Sequence, residues 1–399
     1  MLNDSMPIPT FDEILSKERL IINSDVLSPH YLPEKLLHRD KEISFIMKVI
    51  APAIKKQAIN NLFIYGKTGT GKTACMRYIM KEFEKYSNNS IMTYVNCKIY
   101  NSRYKVMQKS LKEIFPELDK LGFGIQFIYE KLLELLNSGR SIIMVLDEID
   151  MVSDLDDLVY TITRANDESK IGHASIIGIS NKLSFKERLD PRTKSSLCEV
   201  EMVFYSYNAQ QLKDIIKQRV EIGFKPNVVE ESAINLAAAI TANDNGDARY
   251  ALTLMLRAGQ IAEQKGLSYI SDKEIEEARK VVDNEIVGEV VKSLPEHQKL
   301  VLLAIAQLTI EKTKQQRLTN YDEDSFLSGE VYEKYCKICK SLNKQFRSAR
   351  WYREYLHDLE MLGLITITET GKGIRGHSRL IKIGYIPERI IEMITWEMK

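Results

Sequence analysis

The sequence has little cysteine, no long apolar run and almost no net charge, and each shortage narrows the class of protein. Its five cysteines are odd in number and mostly lie among apolar residues, which favours reduced thiols in a cytosol over a disulfide framework. No apolar run approaches the roughly 18 residues that a membrane span needs, and the first residues lack the layout of a secretion signal. We therefore expect a cytoplasmic protein without a membrane partner. Because the net charge is only +1, any contact with nucleic acid must come from local clusters of basic residues.

The rest of the composition is that of a globular protein with more than one domain. A chain of 399 residues is too long for one typical core, so two or three domains are expected. The contents of 44% hydrophobic and 28% charged residues are ordinary for such a protein. Cys336 and Cys339 form a CxxC, but two thiols on a helical pattern without a second pair do not predict a zinc site.

Three stretches of different periodicity divide the chain. In the first, 1–206, short β-branched apolar runs alternate with helical patterns, which predicts an α/β domain with a buried parallel sheet. The predicted strands are 62–65, 91–97, 141–147, 174–180 and 200–206. The second stretch, 207–285, contains only helical patterns and predicts a small helical domain. The third, 286–399, has three helical patterns and then two strand patterns, which is the outline of a winged helix-turn-helix domain.

The clearest motif is a glycine-rich loop between the strand 62–65 and a helical pattern. It comprises Gly66, Lys67, Thr68, Gly69, Thr70, Gly71, Lys72 and Thr73, with Ala74 following in the helix, and it matches G-x-x-x-x-G-K-[ST]. Glycines let the backbone N–H groups point inward, and the helix N-terminus adds a positive dipole, so the loop predicts binding of ATP or ADP. Lys72 can reach the β and γ phosphates, and the Thr73 hydroxyl can be a ligand of Mg²⁺.

Polar residues at the ends of two later strands predict the rest of a hydrolytic site. Asp147 and Glu148 close the strand 141–147, at the edge of the sheet where phosphates bind in such folds. Asp147 would hold magnesium and Glu148 would polarise the attacking water. An acidic pair alone is as often a solvated helix start, but the glycine-rich loop favours catalysis. Asn181 follows the strand 174–180, where an amide can orient water, although on its own it indicates only a strand-ending turn.

Taken together, these motifs resemble those of the AAA+ ATPases. The ordered set includes Arg192 in RLDPRTKSSL and Arg249 in GDARYAL. Within that class, LPEKLLHRDKEI, FIYGKTGTGKT, VLDEID and NGDARYAL are similar to archaeal replication initiators related to the origin recognition complex and its cell-division-control partner. The likeness runs from about Leu32 to Gly384 and is looser in the last domain. It implies an AAA+ parallel-sheet domain, a helical lid and a winged helix.

The resemblance also implies roles for individual residues. Arg249 is similar to the lid residue that contacts the γ phosphate from the same subunit, and Arg192 resembles the finger that reaches into a neighbour's site. Tyr207 and Arg219 match positions that line the nucleotide pocket, and Arg39 would flank the adenine. For three of these residues a plainer alternative stays open. Arg192 could be a surface arginine, Tyr207 a core aromatic and Arg219 a member of a helix ion pair.

The last domain carries a dense basic segment. No acidic residue interrupts Lys334, Lys337, Lys340, Lys344, Arg347, Arg350 and Arg353. Ser348 could cap a helix from about Ala349, whose first turns would face a DNA major groove. The predicted DNA contacts are Arg347, Arg350, Trp351 and Arg353 on this helix and Lys372, Arg375 and Arg379 in the loop between the two strands. The alternative is a winged helix that docks protein. The stretch 154–173 is a weaker candidate for DNA contact.

The predicted function is ATP-controlled recognition of duplex origin DNA at the start of replication. Slow magnesium-dependent hydrolysis would act as a switch, with the replicative helicase and paralogous initiator subunits as partners near the nucleoid. Two alternatives stay open from the sequence. One is an origin-binding paralogue that restrains replication, and the other is a clamp-loader-like remodelling ATPase.

Overall fold

A computed structural model describes residues 19–87, 89–120, 122–313, 325–369 and 379–397. The chain forms two compact units, Met1–Ala278 and Arg279–Lys399. The wing residues Lys372 and Arg375 lie outside the described residues. Within those described ranges, no helix is both long enough and apolar enough to cross a membrane.

The first unit is built on a five-stranded parallel sheet with the order β2-β3-β4-β1-β5. Its strands are β1 Leu62–Tyr65, β2 Ser90–Asn96, β3 Ser141–Asp147, β4 Ala174–Ser180 and β5 Val200–Val203. Every residue of β3 and β4 is buried, as continuous apolar runs predict for central strands. The predicted parallel sheet is thus confirmed, although β5 ends three residues before the predicted 206.

Helices cover both faces of this sheet. They are α1 Asp40–Ile54, α2 Lys72–Tyr86, α3 Arg103–Leu111, α4 Ile125–Asn137, α5 Leu155–Glu168 and α6 Pro191–Leu197. Short 3-10 turns lie at Ser24–Leu27, Pro116–Asp119, Ile149–Met151 and Leu183–Arg188. Apolar residues of α1 and α2 pack on one face, and those of α3, α4 and α5 pack on the other. The strand ends that carry the motifs therefore meet at one edge of a rigid three-layer sandwich.

Of the four helices that follow β5, the first three match the helical patterns of the sequence, and the fourth was not predicted. They are α7 Ala209–Gly223, α8 Glu231–Asp244, α9 Ala248–Lys265 and α10 Asp272–Ser293. Asn208 caps α7 in a capping box with Gln211, which fixes where this helical part begins.

The second unit has the elements of a winged helix. They are α11 Glu296–Thr313, β6 Ser325–Leu327, α12 Ser328–Ser341, α13 Ala349–Met361, β7 Ile365–Glu369, β8 Arg379–Ile383 and α14 Pro387–Glu397. The strands form an antiparallel sheet with the order β6-β8-β7. The sequence patterns predict the three helices and the hairpin but not β6 or α14. Helix α13 begins at Ala349 as predicted, yet the side chain of its N-cap Ser348 makes no capping hydrogen bond.

Candidate functional site

The glycine-rich loop leaves β1 and turns into α2 in a backbone conformation that suits glycine. Gly69 and Gly71 have φ angles of 68° and 87°, in the left-handed region. A Cβ on Gly69 would lie only 1.7 Å from Oδ1 of Asp247. Glycine is thus needed at position 69 for two reasons: the backbone is left-handed there, and the turn before α9 packs directly against it.

The Lys72 side chain folds back into this loop. Its Nζ donates to the carbonyl oxygens of Gly66 and Lys67, each at 2.7 Å. The pKa of this ammonium group is lowered to about 8, chiefly because the group is buried; Asp147 opposes the shift and Arg249 adds to it. A cation held this way is poised to exchange carbonyl acceptors for the oxygens of an anion in the loop.

Thr73 and Asp147 meet at the edge of the sheet, as the motif predicts for a pair that shares a magnesium ion. The Thr73 hydroxyl donates to Oδ2 of Asp147 at 2.7 Å. The same carboxylate oxygen accepts from the Tyr94 hydroxyl at 2.8 Å, and Oδ1 accepts from the backbone N–H of Glu148 at 3.0 Å. Burial and the adjacent Asp147 raise the pKa of Tyr94, so its hydroxyl stays a donor at neutral pH. Sequence reasoning missed Tyr94, which lies 53 residues away along the chain.

Glu148 has the strained backbone of a functional position. Its φ of 55° is unusual for a residue other than glycine. Its Oε2 atom is buried and has no hydrogen-bond partner in the part of the chain that the structure describes. An unpaired carboxylate oxygen that lines a cavity is available to accept a proton from a water molecule.

Asn181 lines the same cavity, and a buried acid fixes the turn that carries it. The neighbouring Ser180 hydroxyl donates to Oδ1 of Asp150 at 2.9 Å, and Lys182 Nζ lies 3.2 Å from its Oδ2. Asp150 is therefore a supporting residue that sequence reasoning did not identify. The signal in the sequence was the third acidic residue of VLDEID.

Arg249 approaches the loop from α9. The Asp247 side chain caps this helix and accepts from the backbone N–H of Arg249 at 2.8 Å. The N–H of Ala248 donates to the carbonyl oxygen of Gly69 at 3.2 Å. Arg249 thus lines the cavity from the first turn of α9.

One cavity of about 320 Å³ is shared by these groups, within the size range of small-molecule sites. Its phosphate-loop end is lined by Thr68, Gly69, Thr70, Gly71, Lys72, Thr73 and Ala74. The other end is lined by more apolar residues, which include His30, Tyr31, Leu32, Pro33, Ile215 and Leu252.

The four other residues predicted for a nucleotide site lie in three different places. Tyr207 and Arg219 both line the cavity. Arg219 is only 6% exposed, its Nε and Nη1 atoms lack hydrogen-bond partners among the described residues, and it lies 4.7 Å from the Tyr31 ring centroid. Burial lowers the pKa of this guanidinium. Arg39 is buried, bonds the Thr70 carbonyl of the loop and is not among the residues that line the cavity, so its place beside the adenine stays a prediction. Arg192 is exposed at the start of α6, away from this chain's own cavity.

The basic segment of the second unit surrounds the turn before α13. Arg347, Arg350, Trp351 and Arg353 are exposed on this turn and helix, and Trp351 is 57% exposed. Arg379, at the start of β8, is also exposed. Lys334 and Lys344 form ion pairs with Glu311 and Glu296, which removes two charges from the predicted cluster.

A tyrosine fixes the turn that precedes α13. The Tyr335 hydroxyl accepts from the backbone N–H of Arg347 at 3.0 Å and lies 2.8 Å from Nδ1 of His297. Tyr332 donates its hydroxyl to the Arg347 carbonyl at 3.0 Å. The first turns of α13 are therefore presented on a well-supported backbone, as a recognition helix requires.

The weaker candidate stretch, 154–173, forms α5 and the turn after it. Arg164 there is paired with Glu168 at 3.0 Å. Contact of this stretch with DNA stays a prediction.

Comparisons with known proteins agree along the whole chain. Family models match as an AAA domain over 56–184, a Cdc6 AAA+ ATPase-type lid domain over 213–280 and a CDC6 C-terminal winged helix domain over 289–393. The chain is 37% identical over 391 residues to ORC1-type DNA replication protein 1 of Sulfurisphaera tokodaii, covering 96% of each chain. It is also similar to the solved structure of the Aeropyrum pernix ORC1 protein in complex with DNA, with 33% identity, a TM-score of 0.79 and coverage of 96% and 98%. The Aeropyrum pernix ORC2 protein, solved in ADPNP–ADP complexes, shares the fold at 19% identity and a TM-score of 0.60, with coverage of 95% and 99%.

Proposed function

This chain belongs to the ORC1-type DNA replication proteins, the Cdc6-like initiators with an AAA+ ATPase domain, and we propose that within this family it is an ATP-controlled origin-binding protein. It would recognise duplex origin DNA through its winged helix and recruit the replicative helicase together with paralogous initiator subunits. Magnesium-dependent hydrolysis, slow on the scale of metabolic enzymes, would reset the protein.

The observation that carries the nucleotide part is the composition of the shared cavity. Lys72, Arg219 and Arg249 face it with positive charge, while Asp147 and Glu148 face it with negative charge. Arg219 is buried, and two of its nitrogen atoms have no hydrogen-bond partner among the described residues, an arrangement that is costly unless an anion reaches them. A nucleoside triphosphate with Mg²⁺ supplies both signs of charge in the required places.

The side chains have separable tasks in this proposal. Lys72 would transfer its hydrogen bonds from loop carbonyls to the β and γ phosphates. Thr73 and Asp147, already joined through their oxygens at 2.7 Å, would hold the magnesium ion. The ion held there would supply positive charge to neutralise the phosphates.

Hydrolysis would depend on Glu148, Asn181 and two arginines. Glu148 has the free oxygen needed to accept a proton from water, and Asn181 would orient that water. Arg249 would contact the γ phosphate from the lid of the same subunit. Arg192 is exposed and is not among the residues that line its own cavity, which supports a role as an arginine finger at the site of a neighbouring subunit. Such a finger contributes roughly 10³–10⁵ in rate.

DNA recognition is supported by the exposed face of α13. Arg350, Trp351 and Arg353 project from its first turns, and Arg379 adds a basic residue at the base of the wing. The similarity to an ORC1 protein solved with DNA favours this interpretation over protein docking. Arginine can read guanine in the major groove by paired hydrogen bonds.

A genome-wide footprint of the full-length protein tests the proposal. We expect occupancy at a few discrete loci where nascent strands begin, with helicase recruitment at the same loci. The Arg350→Ala variant should no longer occupy the discrete loci. The Arg389→Ala variant, changed at an exposed position of α14 in the same unit, should still occupy them. Uniform occupancy by the parent protein, or discrete occupancy that blocks nascent strands, would reject an initiating role.

A further inference from the structure

Arg39 is a buried arginine that lies outside the nucleotide cavity yet is bonded to the loop that forms it. The residue is 4% exposed and occupies the N-cap of α1. Its Nε donates to the carbonyl of Thr70 at 3.0 Å and to the Tyr207 hydroxyl at 3.1 Å. Nη2 donates to the carbonyl of Tyr205 at 2.7 Å, and Nη1 pairs with Glu42 at 2.8 Å. One guanidinium therefore joins the phosphate loop to the residues that follow β5.

Those residues, 204–208, connect β5 to α7 and are called the joining segment here. The segment is pressed against both ends of the phosphate loop. A Cβ on Gly66 would lie 2.3 Å from the carbonyl oxygen of Phe204. A Cβ on Gly71 would lie 2.7 Å from the Tyr207 hydroxyl. Such close approach means that the loop cannot change shape without displacing the joining segment.

The other side of the joining segment touches the lid helices. A Cβ on Gly246, in the turn before α9, would lie 2.6 Å from the carbonyl oxygen of Tyr207. The same turn bonds the loop directly, through Ala248 N–H to the Gly69 carbonyl at 3.2 Å. Loop, joining segment and the start of α9 therefore form one continuous packed network.

Arginine is the side chain that this position requires. Its planar fork reaches four acceptors, and its face lies 4.0 Å from the Tyr207 ring centroid. A lysine in the same place is a point charge on a flexible stem and cannot hold the Thr70 and Tyr205 carbonyls in one fixed geometry.

We propose that Arg39 is a positioning residue that transmits the state of the phosphate loop to the joining segment and so to the lid. The proposal rests on the ATP-controlled function proposed above. Arg39 is not among the residues that line the nucleotide cavity; it ties the Thr70 carbonyl of the loop to the Tyr205 carbonyl of the segment. A ligand that reorders the loop then reorders the joining segment by way of the same guanidinium.

Hydrogen–deuterium exchange on the full-length protein, with and without saturating Mg-ATP, tests this transmission. In the parent, ATP should slow exchange in two peptides, one over the loop at 66–72 and one over the joining segment at 204–208. In Arg39→Lys the loop should still be protected, while protection of the joining segment should fall by at least about fivefold, the lower end of typical coupling between sites. Glu42→Gln is the matched control, because its amide oxygen can still accept from Nη1 and the other Arg39 contacts stay in place.

A second variant covers the case in which Arg39→Lys does not fold. Tyr207→Phe removes one acceptor of Arg39 and keeps the ring under the guanidinium, so part of the joining-segment protection should be lost. Parental protection of the joining segment in both variants overturns the proposal, as does complete loss of ATP binding in Arg39→Lys, which would make Arg39 a binding residue. Absence of loop protection in the parent is a different failure, because it rejects nucleotide binding itself.

Discussion

At the scale of single residues, the nucleotide cavity concentrates charge in places where water is largely excluded. Lys72 and Asp147 are buried, and Arg219 has no partner for two of its nitrogen atoms among the described residues. Groups of this kind destabilise the free protein unless they face one another or a ligand. The cavity therefore exchanges some stability for affinity, and substitutions should separate the two effects.

Lys72 makes ATP affinity depend on pH, in a direction that its surroundings determine. With a pKa of about 8 in the free protein, the ammonium group is charged below pH 8 and loses its proton above it. Bound phosphates favour the charged form, so affinity is full below pH 8 and should fall by up to about tenfold per pH unit above it. Calorimetry from pH 7 to 9 in buffers of different ionisation enthalpy should detect proton uptake above pH 8.

Lys72→Ala should bind no measurable ATP, and parental affinity in that variant would exclude this loop as the phosphate site.

Glu148 separates binding from turnover. Glu148→Gln keeps the shape of the side chain but removes the base, so ATP binding should persist while turnover falls by at least about 10²-fold. Glu84→Gln, on the exposed side of α2, is the control for loss of one carboxylate and should behave as the parent. Single-turnover kinetics with bound ATP measure the step directly. Equal rates in both variants would make Glu148 a spectator.

Arg219 should show opposite effects on stability and on affinity. Arg219→Met removes a buried cation with unpaired donors, which should raise the melting temperature of the nucleotide-free protein. If those donors meet the nucleotide, ATP affinity should fall by roughly 10- to 150-fold, the value of a hydrogen bond to a charged group. Thermal unfolding with and without Mg-ATP measures both quantities. A lower melting temperature with unchanged affinity would point to a purely structural arginine.

Some of the predicted site residues follow from short local motifs, whereas Tyr207, Arg219 and Arg249 were predicted only through the family resemblance. Lys72, Thr73 and Glu148 were found because the loop and the acidic pair each have a fixed local spacing. Tyr94 was missed because only the folded sheet brings it to Asp147. Arg39 was assigned to the adenine, but its Tyr207 contact spans 168 positions of the sequence and could not be read locally.

At the scale of elements, the central strands β1, β3 and β4 were easier to predict than the edge strands β2 and β5. The continuous apolar runs of β3 and β4 match their predicted bounds, since each is buried on both faces. β5 stops early because the chain turns away after Phe204, whose N–H makes the last bond to Tyr65. β6 has only three residues, and its strand conformation depends on pairing with β8. A local sequence pattern does not predict such a pairing.

The winged helix should distinguish base reading from phosphate contact. Arg350→Ala on α13 should cost about 1–3 kcal/mol on origin DNA and relax preference at one base pair. Arg379→Ala at the base of the wing should weaken all sequences alike and reduce the salt slope by about one unit. Arg389→Ala on α14 is the control for loss of one positive charge in the same unit. Salt titrations of binding to origin and scrambled duplexes make the comparison, and unchanged affinity in the first two variants would favour a protein-docking winged helix.

At the scale of the whole molecule, the predicted division at 285 and 286 falls within α10, which runs from Asp272 to Ser293. Val287 and Val291 of this helix pack in the core of the second unit. The sequence on both sides of the predicted boundary has a helical pattern. Periodicity alone therefore does not show whether one helix or two lie there. The three-domain division stays a prediction, while the compact units divide at Ala278 and Arg279.

A protein whose nucleotide controls DNA binding must obey a reciprocal relation between the two ligands. If ATP raises the affinity for origin duplex by some factor, origin duplex raises the affinity for ATP by the same factor, because both are legs of one thermodynamic cycle. We expect a factor of roughly 5 to 150, the usual range for coupled sites. Glu148→Gln makes the measurement possible, since ATP would stay intact during titration.

Both legs of that cycle can be measured by titration with ATP and with ADP. The expected result is tighter origin binding with ATP than with ADP, and an equal gain in ATP affinity when origin duplex is present. Scrambled duplex should give a smaller factor, because phosphate contacts alone do not report sequence. Equal DNA affinity with ATP, with ADP and without nucleotide would mean that the nucleotide is only a structural ligand. The chain would then act as an origin-bound regulator whose occupancy ATP does not set.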